Sequence, residues 1–124
     1  MSGGSSVDDG YFSYDGLDRV LHEKARLGIL TALVSRPDGL TFVELKGLCS
    51  LTDGNLARHL QTLQDSGFVE VDKLHQKGQR PTTRVGMSSE GRKAFLAYLQ
   101  ELERVIRDAR PSPADPGRSQ PRLV

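Results

Sequence analysis

Between Leu51 and Phe68 apolar residues return every three or four positions. Leu56, Leu60 and Leu63 fall on one face of a helix, and Asn55, Arg58, His59 and Thr62 on the other. Thr52 is placed to cap the first turn with its hydroxyl, and Gly67 to end the helix in a left-handed conformation. The spacing therefore predicts a helix over residues 52–66. Upstream, Asp15 to Ser35 also reads as helix. Leu17, Val20 and Leu21 form one apolar face; Leu27, Leu30, Leu33 and Val34 form another. His22-Glu23-Lys24 interrupts the pattern, so a short helix, a break and a longer helix are expected. Arg36-Pro37-Asp38-Gly39 is a turn sequence, with φ fixed at proline and left-handed backbone tolerated at glycine. Thr41 and Glu44 match a capping box for a short helix running through Leu45 to about Leu48. Gly47 to Leu51 then supplies a tight turn into the next helix.

After Gly67 the period drops to two. Val69 and Val71 alternate with Glu70 and Asp72, and Thr83, Val85 and Met87 alternate in the same way. The polar, glycine-containing stretch between them predicts a β-hairpin whose tip spans residues 74–81. Ser88 and Ser89 offer caps for a last helix to about Ala109. Phe95, Leu99, Leu102 and Ile106 recur at steps of four and three, the seam of a helix that packs on another helix. Such a helix is roughly 30 Å long at 1.5 Å per residue. That is more than so small a domain covers by itself, and a second copy is the natural partner, through Phe95, Leu99, Leu102 and Ile106.

Composition changes the picture little. The chain has 124 residues, 36% hydrophobic and 27% charged, as expected of one soluble globular domain. Residues 1–10 (glycine, serine and aspartate) and 110–124 (with four of the six prolines) bury little and are expected to be disordered tails around a domain at 11–109. Tyr11, Phe12 and Tyr14 are expected to pack onto the domain edge or a partner. No apolar run approaches the roughly 18 residues of a membrane span, and the polar N-terminus does not resemble a secretory signal. With one cysteine, Cys49, there is no internal disulfide framework. These features point to a cytoplasmic protein.

Charge matters locally. The net charge is only +1, from 17 basic and 16 acidic residues. Yet from Lys73 to Arg84 there are four basic residues, Lys73, Lys77, Arg80 and Arg84, and no acidic ones. Asn55, Arg58 and His59 are groups that can read base edges or hold phosphates. No paired carboxylates, phosphate loop or nucleophile–base set indicates an enzyme. The three histidines and lone cysteine lack ligand spacing, so no metal and no cofactor are expected. Cys49 reads as a small apolar residue in the turn.

The order of elements, with LHEKARLGILTAL, LTDGNLARHLQTLQDSGFVEV and SSEGRKAFLAYLQEL, resembles the MarR- and ArsR-like winged helix regulators over about Leu17 to Leu102. The resemblance implies a mainly α fold with a small β-hairpin wing (α+β): a winged helix-turn-helix with a long C-terminal dimerisation helix, 88–109. It also implies a homodimeric transcriptional regulator, a repressor, on double-stranded DNA with a pseudo-palindromic operator. Thr52, Gly54, Asn55, Arg58 and His59 would meet the major groove. Lys77 and Arg80, with Arg84 in the same basic cluster, would reach the backbone or minor groove from the wing. The paired cysteines of ArsR metal sensors are missing, and Asp53 places a negative charge near where phosphates would lie. Two other readings stay open. One is a winged helix protein-interaction module that does not bind DNA. The other is control by an unknown small-molecule effector in a pocket lined by Tyr11, Phe12, Tyr14 and Tyr98.

Overall fold

A computed structural model describes residues 9–75 and 77–111. The expected terminal tails lie outside the described residues, apart from a few positions at their inner ends. The elements are α1 (Lys24–Val34), β1 (Leu40–Thr41), α2 (Phe42–Cys49), α3 (Asp53–Asp65), β2 (Val69–Leu74), β3 (Thr82–Met87) and α4 (Ser89–Ala109). The three strands form one antiparallel sheet in the order β1-β3-β2. Val71 pairs with Val85 on one side of β3 and Leu40 pairs with Val85 on the other. This is a winged helix fold, as expected.

Local chemistry explains most boundaries. Thr41 caps α2: its hydroxyl accepts from Glu44 N–H at 3.1 Å while Glu44 Oε1 accepts from Thr41 N–H at 2.9 Å. Ser50 then turns the chain in the left-handed region at φ 54. Gly47 lies within α2 rather than in the turn, so the helix runs one residue further than expected. The C-terminus of α3 closes with Phe68 N–H on Leu63 O and Gly67 N–H on Gln64 O, both at 2.9 Å, with Gly67 at φ 79. This paired closure satisfies the carbonyls that a helix end leaves open.

Two expectations are corrected. Asp15 to Glu23 is a run of turns, not a helix. Asp18 Oδ1 accepts from Val20 N–H at 2.7 Å and Leu21 N–H at 3.3 Å, and this local bonding competes with the helical ladder. Helix α1 begins only after Glu23, whose carboxylate caps Arg26 N–H at 2.9 Å. The sheet also has a third strand, β1, too short for a period to reveal.

Leu21, Leu30, Leu33, Leu45, Leu56, Leu63, Val85 and Tyr98 meet in one buried core. Each buried leucine there contributes roughly 1.5–3 kcal/mol. Helix α4 presents three faces. Phe95 and Tyr98 are buried in the core, and Leu102 packs partly against it. Glu101, Arg104 and Asp108 hold the N-terminal segment. There Tyr14 donates to Asp108 Oδ2 at 2.7 Å, and Arg104 lies 5.0 Å from the centre of the Tyr14 ring and 5.4 Å from that of Tyr11. Leu96, Leu99 and Ile106 are exposed on the remaining face.

The expected seam is thus split. Phe95 and Leu102 face their own domain, whereas Leu99 and Ile106 face outward. A seam drawn on steps of three and four cannot tell which neighbour a helix meets. The aromatics of the effector reading are not gathered within one chain. Tyr11 and Tyr14 clamp the Asp108 end of α4, while Tyr98 is buried ten residues earlier, sharing a 2.7 Å hydrogen bond with His22 Nδ1. Ten residues are about 15 Å of helix.

Candidate nucleic-acid interface

Helix α3 is fixed from beneath and free above. Leu56, His59, Leu60 and Leu63 are its buried residues. Gly54, Asn55, Ala57, Arg58 and Gln61 are exposed. Thr52 Oγ1 accepts from Asn55 N–H at 3.1 Å, which satisfies a donor of the first turn. Asn55 Oδ1 in turn lies 3.4 Å from Arg58 Nη2, a long, exposed contact in which the amide oxygen accepts. Lys46 on α2 pairs with Asp53 across the turn, Nζ to Oδ1 at 2.9 Å. Ala57, Gln61 and Gln64 border a groove of about 520 Å³ whose other wall is Val71, Lys73 and Thr83 of the sheet. The exposed face of α3 therefore continues into the base of the wing. Lys77 and Arg80 are exposed at its tip, beside Gly78 at φ 83.

His59 does not face a groove: only 5% of its surface is exposed. Positions 56, 59, 60 and 63 follow the i, i+3, i+4, i+7 rule, so the imidazole lies in the apolar stripe. That spacing was the signal by which the sequence could have assigned it inward. Gln61, one turn from Arg58, belongs to the exposed face in its place and was missed. Arg84 is also occupied. Its Nη1 donates to the carbonyls of Asp38 at 3.2 Å and Gly39 at 3.4 Å, tying the turn before β1 to the central strand. A residue of the middle strand lies beside β1, away from the hairpin tip.

The buried His59 is a link between α3 and α1. Arg26 Nη1 donates to His59 Nδ1 at 3.2 Å, and Arg26 Nε donates to Val20 O at 2.6 Å. A guanidinium only donates, so the imidazole is neutral with its proton on Nε2. Glu23 Oε1 lies 3.9 Å from Nδ1. Burial holds the imidazole below its ordinary range. Glu23 opposes this, and Arg58 and Arg26 reinforce it.

A folded-state pKa below the unfolded one means that the unfolded chain binds the proton first. The contribution of His59 to stability is full above about pH 6.5 and is lost as pH falls through the lowered folded value. Urea unfolding between pH 7 and pH 5 is expected to show this loss, and His59→Gln, whose amide oxygen can still accept from Arg26, to flatten it. An equal pH slope in both proteins would remove His59 as the cause.

Cys49 is half-buried, and burial pushes its thiol up, away from thiolate reactivity. Among the described residues no group of three or more His, Cys, Asp or Glu side chains is placed to hold a metal ion. No helix among them is long and apolar enough to cross a membrane.

The family described as winged helix DNA-binding domain matches residues 25–106, from α1 through most of α4. The chain belongs to this family. This winged helix DNA-binding domain is similar to an uncharacterized protein of Methanocaldococcus jannaschii, 38% identical over 87 residues that cover 68% of this chain and 89% of the relative. It superposes on a transcriptional regulator homologue from Pyrococcus horikoshii OT3 with a TM-score of 0.68 and 30% identity, covering 73% of this chain and 88% of that one. A crystal structure of MarR shares the fold at a TM-score of 0.60 and 22% identity, over 82% of this chain and 77% of that one. The protein carries a winged helix DNA-binding domain, which implies DNA as its partner, and it shares that domain's fold with the transcriptional regulator homologue.

Proposed function

We propose that the protein is a homodimeric repressor that places one α3 helix in each of two successive major grooves and a wing on the flanking backbone or minor groove. The observation that carries this reading is the two-sided character of α3. One side is locked into the core by Leu56, His59, Leu60 and Leu63, and the other presents Asn55 and Arg58, already in contact with each other. A guanidinium presented by a helix anchored in this way can bond the O6 and N7 edge of guanine bidentately. Thr52 and Gly54 are exposed at its N-terminal end, where backbone N–H groups of a helix suit phosphate oxygens. Lys77 and Arg80 are free of carboxylate partners within the described residues, which suits sequence-tolerant phosphate binding. A dimer bound across a promoter would block polymerase sterically.

The test is a mobility-shift titration on a selected operator. Arg58→Ala is expected to cost about 1–3 kcal/mol, or roughly 5- to 150-fold in affinity, and to relax preference at one base pair of each half-site. Unchanged affinity and preference would exclude α3 as the reading element.

A further inference from the structure

We infer that Asp53 is a specificity-determining residue which, held by Lys46, accepts a hydrogen bond from the exocyclic amino group of cytosine in the major groove. The inference rests on the proposed placement of α3. Asp53 is the first residue of α3, and 75% of its side chain is exposed on the end that leads into the groove. Thr52 already caps the helix, so the carboxylate is not needed for that task. Its only ion-pair partner among the described residues is Lys46 Nζ, 2.9 Å from Oδ1. The ammonium has two consequences. It offsets the charge that phosphates on either side of the groove would repel, and it engages Oδ1, leaving Oδ2 without an ion-pair partner among the described residues.

A carboxylate only accepts. The major-groove edge presents two amino donors, N4 of cytosine and N6 of adenine. Thymine offers O4, and guanine offers O6 and N7, all acceptors that repel it. The amino group of adenine lies between its own N7 and O4 of the paired thymine, whereas that of cytosine has an acceptor, O6 of the paired guanine, on one side only. Cytosine is therefore the favoured base, adenine second, and guanine and thymine are rejected. Asp53 and Arg58 are separated by five residues, roughly 7.5 Å along the helix. At about 3.4 Å per base-pair step, the cytosine should lie about two steps from the guanine read by Arg58.

The experiment is selection of bound duplexes from a random library by the full chain and by Asp53→Ala and Asp53→Asn. The wild-type motif should contain a cytosine-rich position near the Arg58 guanine. Asp53→Ala should make that position degenerate, lowering discrimination against thymine roughly tenfold, within the range for one good base contact, and leave the guanine position unchanged. Asp53→Asn, nearly the same shape, should move the preference toward adenine, the base an amide pairs with. Thermal melting of both variants confirms that each is folded. A wild-type motif that both variants reproduce unchanged overturns the inference and leaves Asp53 a structural partner of Lys46. A wild-type chain that enriches no motif overturns the proposed function, and this inference with it.

Discussion

Gly91→Ala is expected to destabilise the protein by about 2–3 kcal/mol, the penalty of overpacking a closed site, and to lower its melting temperature by roughly 10–20 °C. Gly91 is buried in the first turn of α4, where a methyl group would run into the backbone of Phe68, carbonyl oxygen first. The collision cannot be relieved by rotating a side chain. Phe68 O already accepts from Ser88 N–H at 3.1 Å, and Ser88 Oγ donates to Gly67 O at 2.6 Å while accepting from Gly91 N–H at 2.9 Å. These bonds weld the end of α3, the start of β2 and the start of α4 into one joint. Glycine in a helix ordinarily costs about 0.5–1 kcal/mol relative to alanine, so its presence here is explained by close approach. Gly47, inside α2 with open space around it, supplies the contrast: Gly47→Ala should stabilise by about 0.5–1 kcal/mol. Urea unfolding of both variants checks the pair. A Gly91→Ala protein as stable as the wild type would show that the joint yields.

The joint also indicates what a sequence can and cannot reveal. Thr41 with Glu44, Thr52 with Asn55, and Gly67 after α3 act through bonds spanning a few residues, and each was legible from residue type and spacing. The stripe of Leu56, Leu60 and Leu63 was legible for the same reason. His59 was misread because its polarity outweighed its position. The partner that makes its burial tolerable, Arg26, lies 33 residues away and cannot be seen in a local pattern. Arg84 illustrates the same limit. Four basic residues in twelve suggested one electrostatic surface, but pairing of β3 with β1 directs that guanidinium onto the carbonyls of Asp38 and Gly39. The opposite error occurred at Asp18, where a helical period was present and short-range side-chain bonding overrode it. Asp53 became interpretable only once the turn from α2 brought Lys46 beside it.

Leu99→Glu combined with Ile106→Glu is expected to turn a dimer into a folded monomer and to weaken operator binding by roughly 10²- to 10⁴-fold, the avidity lost when two sites are no longer linked. The three faces of α4 lead to this. One packs in the core through Phe95 and Tyr98, and a second is covered by the N-terminal segment through Tyr14 and Gly16, the latter donating to Glu101 Oε2 at 3.2 Å. The third presents Leu96, Leu99 and Ile106, which are 57%, 37% and 52% exposed on a helix of 21 residues. An apolar stripe of this length, unpaired among the described residues, is a surface that a two-fold axis can cover with its own copy. Glu103 already lies on that stripe. Two added carboxylates per chain would face their symmetry mates and repel, while the outward positions spare the core. Sedimentation equilibrium should therefore report a dimer for the wild type and a monomer for the double variant, with unchanged helical circular dichroism. A wild type that sediments as a monomer at micromolar concentration would remove the dimer. A double variant that remains dimeric would place the interface elsewhere than on Leu99 and Ile106.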